Sequence, residues 1–240
     1  TLRKWRGSMS RPYTTAYPAQ LLELYDRETH PECRLVREAL TELDLDALIY
    51  PCPEGGERYA DKLLAISGGS EIPFLFDPNS NTKLTGGQAI SEHLFNAYAQ
   101  RPTPAALQVQ GANLLQSEKA TALRKDAGLQ KQPSKPAQQL LTLYSFESSP
   151  FSRLVREKLC ELELAYTLIN LSKQKVSDVG PAALHLSWGK YKPLENTKRA
   201  EFHAQHGNVQ VPYLVDPNTQ TSLFESKDIL QYLDKTYAEV

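Results

Sequence analysis

Two short stretches carry residue types able to do sulfur chemistry or to hold an anion. His30-Pro31-Glu32-Cys33 and Ser149-Pro150-Phe151-Ser152 each set a polar residue and a proline at the start of a helical pattern. A helix start presents unpaired N–H groups and a partial positive charge. That field favours a thiolate over a thiol and attracts carboxylates and phosphates. Ser149 is in the first place a helix cap, and so is the Glu225-Ser226 pair that opens the last helical pattern. A second cysteine, Cys52, follows a short apolar run in Tyr50-Pro51-Cys52-Pro53. In a strand–helix–strand unit the helix start and the end of the second strand share one sheet edge, which predicts that Cys33, Cys52 and His30 are neighbours. Two readings stay open there, a redox pair or metal site and a set of separate small side chains. Closed zinc sites take four ligands and only three can be named, so no metal is expected. Cys160 reads as core packing. His203 and His206 have no acidic or cysteine partner at ligand spacing.

The elements that must position these residues occur twice. Leu21–Leu45 and Leu140–Leu164 align without a gap, and 15 of the 25 positions are identical. Ile72-Pro73-Phe74-Leu75-Phe76-Asp77-Pro78-Asn79 is matched by Val211-Pro212-Tyr213-Leu214-Val215-Asp216-Pro217-Asn218. An internal duplication of this kind has to be settled before any fold assignment. Each copy opens with an apolar run of strand length (Leu21–Tyr25; Leu140–Tyr144). A polar loop follows, and then a helix with proline in its first turn, where the missing N–H costs nothing. A second strand follows (Ala47–Tyr50; Tyr166–Leu171). Further on come a strand entered through proline and left through Asp-Pro-Asn, a fourth strand and a closing helix. The order expected for each copy is β-α-β-α-β-β-α.

Four segments follow from this: a leader over 1–20, a first domain over 21–100, a helical connector over 101–139 and a second domain over 140–240. The second copy is about 20 residues longer across Asn170–Gln210, a stretch that includes His185, Trp188, His203 and His206. Loops of that length are usually functional or mobile. The duplication reaches further back, since Leu2-Arg3-Lys4 resembles Leu123-Arg124-Lys125. The Arg-Glu pairs of the shared LVRE motif (Arg37, Glu38; Arg156, Glu157) read as a solvated helix face.

Bulk properties exclude several classes. A formal net charge of −1 gives no basic excess for nucleic acid and no charged surface for a membrane. No apolar run approaches the roughly 18–20 residues needed to span a bilayer. Three cysteines form no disulfide framework, and a reducing cytoplasm is the expected compartment.

The proline at the helix start, the [IV]-P-x-L strand and the Glu-Ser pair together resemble the N-terminal, thioredoxin-like domain of glutathione S-transferases. The tandem arrangement resembles a group of double-domain proteins built from two such units. The resemblance implies an α/β fold of two tandem thioredoxin-like βαβαββα domains without the all-helical transferase domain. It implies glutathione as ligand, held by Val211 and Pro212 beside the cysteinyl part and by Glu225 and Ser226 at the γ-glutamyl end. Ser149 would hydrogen-bond the sulfur and stabilise its thiolate. The first copy has Thr85-Gly86-Gly87 in place of Phe224-Glu225-Ser226, so family-type glutathione binding is not expected there. Redox relatives carry two cysteines at the helix start. Cys33 stands at the second of those positions and Cys52 is its possible partner. The functional expectation is therefore a glutathione-binding, transferase-like protein working through its second copy. The alternatives are a thiol–disulfide protein using Cys33 and Cys52, or a non-catalytic module that binds a protein partner.

Overall fold

A computed structural model describes residues 7–179 and 191–239. His185 and Trp188 lie outside the described residues. The first repeat contains β1 (Leu22–Asp26), α1 (Pro31–Glu42), β2 (Ala47–Pro51), α2 (Ala60–Ser67), β3 (Phe74–Asp77), β4 (Thr82–Thr85) and α3 (Gly87–Ala99). The connector forms α4 (Gly111–Ala122). The second repeat contains β5 (Leu141–Ser145), α5 (Pro150–Glu161), β6 (Tyr166–Asn170), α6 (Lys198–His206), β7 (Tyr213–Asp216), β8 (Thr221–Phe224) and α7 (Ser226–Tyr237). Both repeats thus show the expected β-α-β-α-β-β-α order.

The strands form one eight-stranded sheet in the order β4-β3-β1-β2-β6-β5-β7-β8. Within each repeat the first two strands are parallel and the third and fourth join antiparallel. The halves meet where β2 runs antiparallel to β6, with Ala47 opposite Leu168, Leu48 opposite Thr167 and Ile49 opposite Tyr166. Leu48 and Thr167 are equivalent positions of the duplication, so a local two-fold axis passes between them. Such an axis keeps like helices on like faces. Leu22, Leu24, Val36 and Leu40 of the first repeat therefore share one apolar core with Leu141, Leu143, Val155 and Leu159 of the second. The opposite face carries two separate clusters, one under α2 around Tyr25, Tyr50, Leu63 and Phe74, and one under α6 around Phe202.

The segment before each first strand crosses to the other repeat. Ser10 N–H donates to Lys173 O (2.8 Å) and Lys173 N–H to Ser8 O (2.8 Å). In the mirrored arrangement Lys131 N–H donates to Glu54 O (3.0 Å) and Glu54 N–H to Leu129 O (2.7 Å). Gly7 and Gly128 occupy matching places, both with positive φ. A Cβ on Gly7 would stand 3.0 Å from Glu147 Cβ, and one on Gly128 would stand 3.1 Å from Glu157 Cα. The arms from Gly7 and Gly128 onward thus extend the duplication upstream of the first strands, and Leu2-Arg3-Lys4 of the sequence echo lie outside the described residues.

The LVRE expectation is corrected. Arg37, Glu38, Arg156 and Glu157 are all buried, and the two arginines pack against the loop before the first helix of the other repeat. Arg37 Nε donates to Glu147 (2.9 Å) and Arg156 Nε to Glu28 (3.0 Å), each pair crossing between repeats. Arg37 Nη2 lies 3.2 Å from Glu28 and Arg156 Nη2 lies 3.1 Å from Glu147, which closes a four-membered ring. Glu28 and Glu147 are themselves equivalent positions, so the ring obeys the same two-fold relation. Asp26 adds a bond to Arg37 Nη1 (2.6 Å), where the second repeat offers the Ser145 hydroxyl to Arg156 Nη1 (3.1 Å).

The Asp-Pro-Asn turns are fixed from behind. Asp77 accepts from Asn79 N–H (2.9 Å) and from Tyr98 (2.7 Å) at the end of α3. Asp216 accepts from Asn218 N–H (2.8 Å) and from Tyr232 (2.7 Å) on α7. These bonds tie the strand pair of each repeat to its closing helix.

Candidate functional site

In the second repeat Ser149 is the N-cap of α5, Pro150 is its first residue, and the Ser149 hydroxyl oxygen accepts from Ser152 N–H (3.2 Å). Ser149 is only 3% exposed. Its oxygen is committed to the cap, but its proton remains available to donate. The bland and the chemical roles are thus compatible in one side chain. Ser152 stands where the first repeat has Cys33 and is fully buried.

The peptide bonds Ile72-Pro73 and Val211-Pro212 are both cis. Val211 is half-buried against the α6 cluster of Leu171, Tyr191, Phe202 and Val209. After the β7–β8 hairpin, Glu225 adopts φ +65° and ψ 117° and becomes the N-cap of α7. A side chain in that region is strained by about 1–3 kcal/mol and tends to mark functional sites. Gly86 of the first repeat adopts a similar φ of +90° with ψ of 139°, which glycine tolerates freely. Glu225 receives a hydrogen bond from Gln210. Ser226, 9% exposed, is the first residue of α7, and no side chain caps that helix among the described residues.

The first repeat has the same architecture with its helix start already filled. Glu32, in the first turn of α1, accepts from Gly87 N–H (2.7 Å) at the start of α3. The connector lies against the same point, since Val109 N–H donates to Gln88 Oε1 (2.8 Å). A Cβ on Gly87 would meet Glu32 Cβ at 3.0 Å and Val109 Cγ2 at 3.2 Å. The glycine therefore permits the close approach that closes this site. His30 is the N-cap of α1 but makes no side-chain capping bond, and burial lowers its pKa.

Cys33, Cys52 and Cys160 are all free. Burial and the adjacent Asp26 carboxylate push the Cys33 thiol well up. The same two causes raise Cys52 to about 12. Burial also raises Cys160, which sits in the interior as expected. Asp26 thus stands beside both Cys33 and Cys52. It brings the two cysteines into one neighbourhood but opposes a thiolate at either. Cys52 also lines a cavity of about 350 Å³ with Arg27, Tyr59, Ser70, Ile72 and Glu163. Most of this lining comes from the first repeat and Glu163 from the second, and neither Ser149 nor Ser226 is part of it.

No group of three metal-binding side chains occurs among the described residues. His206 packs on Phe202 (ring centroids 4.3 Å apart) and on Tyr213 (4.8 Å), and His203 packs on Tyr191 (5.6 Å). No helix among the described residues is long and apolar enough to cross a membrane. Sequence reasoning missed the Glu32 contact and the buried ring. The adjacent glycines at Gly86 and Gly87 were the one visible sign that something approaches α3 closely.

The family model for the glutathione S-transferase N-terminal domain matches residues 24–102 and 143–240, one match for each repeat. The chain belongs to this family. It carries the domain twice in tandem, and its α/β architecture is that of two thioredoxin-like units sharing one sheet. Among solved structures it is similar to Leishmania TDR1, described as a unique trimeric glutathione transferase. The identity is 14% and the TM-score 0.29, over 92% of this chain and 68% of that one. A search of curated proteins finds no match.

Proposed function

We propose that the protein binds glutathione, or a closely related thiol, at the second repeat and acts on it as a transferase. The observation that carries this reading is the contrast between two equivalent helix starts. In the first repeat the α3 N-terminus holds the protein's own Glu32 carboxylate, while the α7 N-terminus offers Ser226 with no internal cap among the described residues. A helix start of this kind favours a carboxylate through its free N–H groups and its partial charge. Ser226 and the N–H groups of α7 would take the γ-glutamyl carboxylate, with Glu225 close to its amino group. Val211 and Pro212 would lie along the cysteinyl backbone. The Ser149 proton would then donate to the sulfur and favour its thiolate, which is the nucleophile in addition to an electrophile.

The raised thiols speak against the redox alternative through Cys33 and Cys52. No metal takes part in the proposed chemistry. Free thiols fit a reducing compartment, for which we propose the cytoplasm. Retention on immobilised glutathione, with elution by free glutathione, tests the reading. Wild-type protein is expected to be retained and Ser226→Ala to flow through. Flow-through of both refutes it.

A further inference from the structure

We propose that the second residue of the first helix in each repeat, Glu32 or Phe151, decides whether that repeat keeps an open carboxylate site. The inference rests on the functional reading above and names what selects the working repeat. Glu32 and Phe151 are equivalent positions of the gap-free duplication, and Gly87 and Ser226 are equivalent through the matched strands β3 and β7. The β3–β4 and β7–β8 hairpins share one register, with Phe74 opposite Thr85 and Tyr213 opposite Phe224. The distance from position 32 to Gly87 N–H is therefore a measure of the distance from position 151 to Ser226 N–H. A glutamate spans it, since Glu32 reaches Gly87 N–H at 2.7 Å.

In the second repeat that position holds Phe151, whose ring is apolar and 61% exposed. A phenyl ring cannot accept the Ser226 N–H as a carboxylate does, so the helix start stays available. The second member of each pair changes in step. Gly87 leaves room for Glu32, and a Cβ there would crowd it at 3.0 Å. Ser226 carries that Cβ and a hydroxyl at the equivalent place. Glutamate with glycine gives a self-occupied repeat, and phenylalanine with serine gives one whose helix start no side chain among the described residues caps. The first repeat is then a closed copy whose own side chain takes the place of a ligand carboxylate.

The test introduces the closing carboxylate into the open repeat of the full chain. Phe151→Glu is expected to weaken glutathione binding by about tenfold or more, since a charged acceptor competes for the same donors. Phe151→Gln, of equal reach but no charge, is expected to stay within about threefold. Crowding by the Ser226 Cβ is relieved in a second variant, Phe151→Glu with Ser226→Gly. Independently of any ligand, the amide proton at position 226 is followed by NMR. It is expected to move further downfield in both glutamate variants than in the glutamine variant, because the charged acceptor makes the stronger bond. An unmoved amide in both glutamate variants overturns the inference, as does equal glutathione affinity in Phe151→Glu and Phe151→Gln. Absence of glutathione binding by the wild type would instead refute the functional reading, and the amide shift alone would then decide this proposal.

Discussion

Glu147→Gln tests the buried ring that joins the repeats. The Glu147 carboxylate meets Arg37 at 2.9 Å and Arg156 at 3.1 Å, and all three side chains are 1% exposed. Burial alone would raise its pKa, but Arg156, Arg37 and Arg34 together overcome burial and hold the carboxyl down at about 2, from an ordinary 4.5. A depressed carboxyl stabilises the fold above its unfolded pKa. That contribution is lost as pH falls through the folded value, here between about 4.5 and 2. At 1.36 kcal/mol per pKa unit the gap corresponds to roughly 3 kcal/mol. Breaking a buried pair from one side costs about 3–5 kcal/mol, which agrees. Glu147→Gln keeps the shape and removes the charge, so it is expected to destabilise by roughly 3 kcal/mol at pH 7. For a chain of this size that lowers Tm by about 6–12 °C. The two-fold relation predicts a loss of the same order for Glu28→Gln, its equivalent. Guanidinium denaturation read by circular dichroism measures both, with the exposed Glu57→Gln as a control expected within about 0.5 kcal/mol. The loss should shrink as pH is lowered towards 2, where the wild-type carboxyl also becomes neutral. A loss below about 0.5 kcal/mol at pH 7 would refute the view that this ring holds the repeats together.

Other outcomes follow from the same geometry. Burial raises the Asp26 carboxyl, so its charged form is disfavoured in the fold, and Ser145 fills the equivalent place with a hydroxyl. Asp26→Ser is therefore expected to cost less than Glu147→Gln in the same denaturation assay, since Arg37 keeps Glu28 and Glu147, and a loss matching Glu147→Gln would show the reasoning wrong. Mild oxidation should leave three titratable thiols per chain under denaturing conditions, because Cys33 and Cys52 both resist ionisation. A fall to one thiol would revive the redox reading. Ser149→Ala should cost about 1 kcal/mol through the lost cap and also abolish conjugation of a small electrophile. Unchanged turnover would confine Ser149 to the cap.

The fold was legible because duplication doubles every signal. Pro31 and Pro150 in the first helical turns, and the proline-led strands at Ile72 and Val211, recur in register with the same flanking residues. The burial of LVRE was not legible. A 3.6-residue period marks Leu35, Val36 and Leu40 as inward, whereas Arg37 and Glu38 are polar by type and read as outward. Their burial comes from the other repeat docking across the axis, which no local pattern encodes. The candidate site divides in the same way. Ser149 follows from its place at the helix start, and Val211, Glu225 and Ser226 from the resemblance to the family's pattern. The Glu32–Gly87 contact joins residues 55 positions apart and depends on how α1 packs against α3. Likewise the ionisation of Cys33 and Cys52 is set by Asp26 and by burial, and neither is visible in their spacing.

Calorimetric titration of the full chain with reduced glutathione, beside Ser226→Ala, tests the central claim most directly. One glutathione per chain, with binding lost in Ser226→Ala, is the result expected if the second repeat is open and the first is closed by Glu32. No heat at millimolar glutathione, or binding unaffected by the substitution, would contradict it.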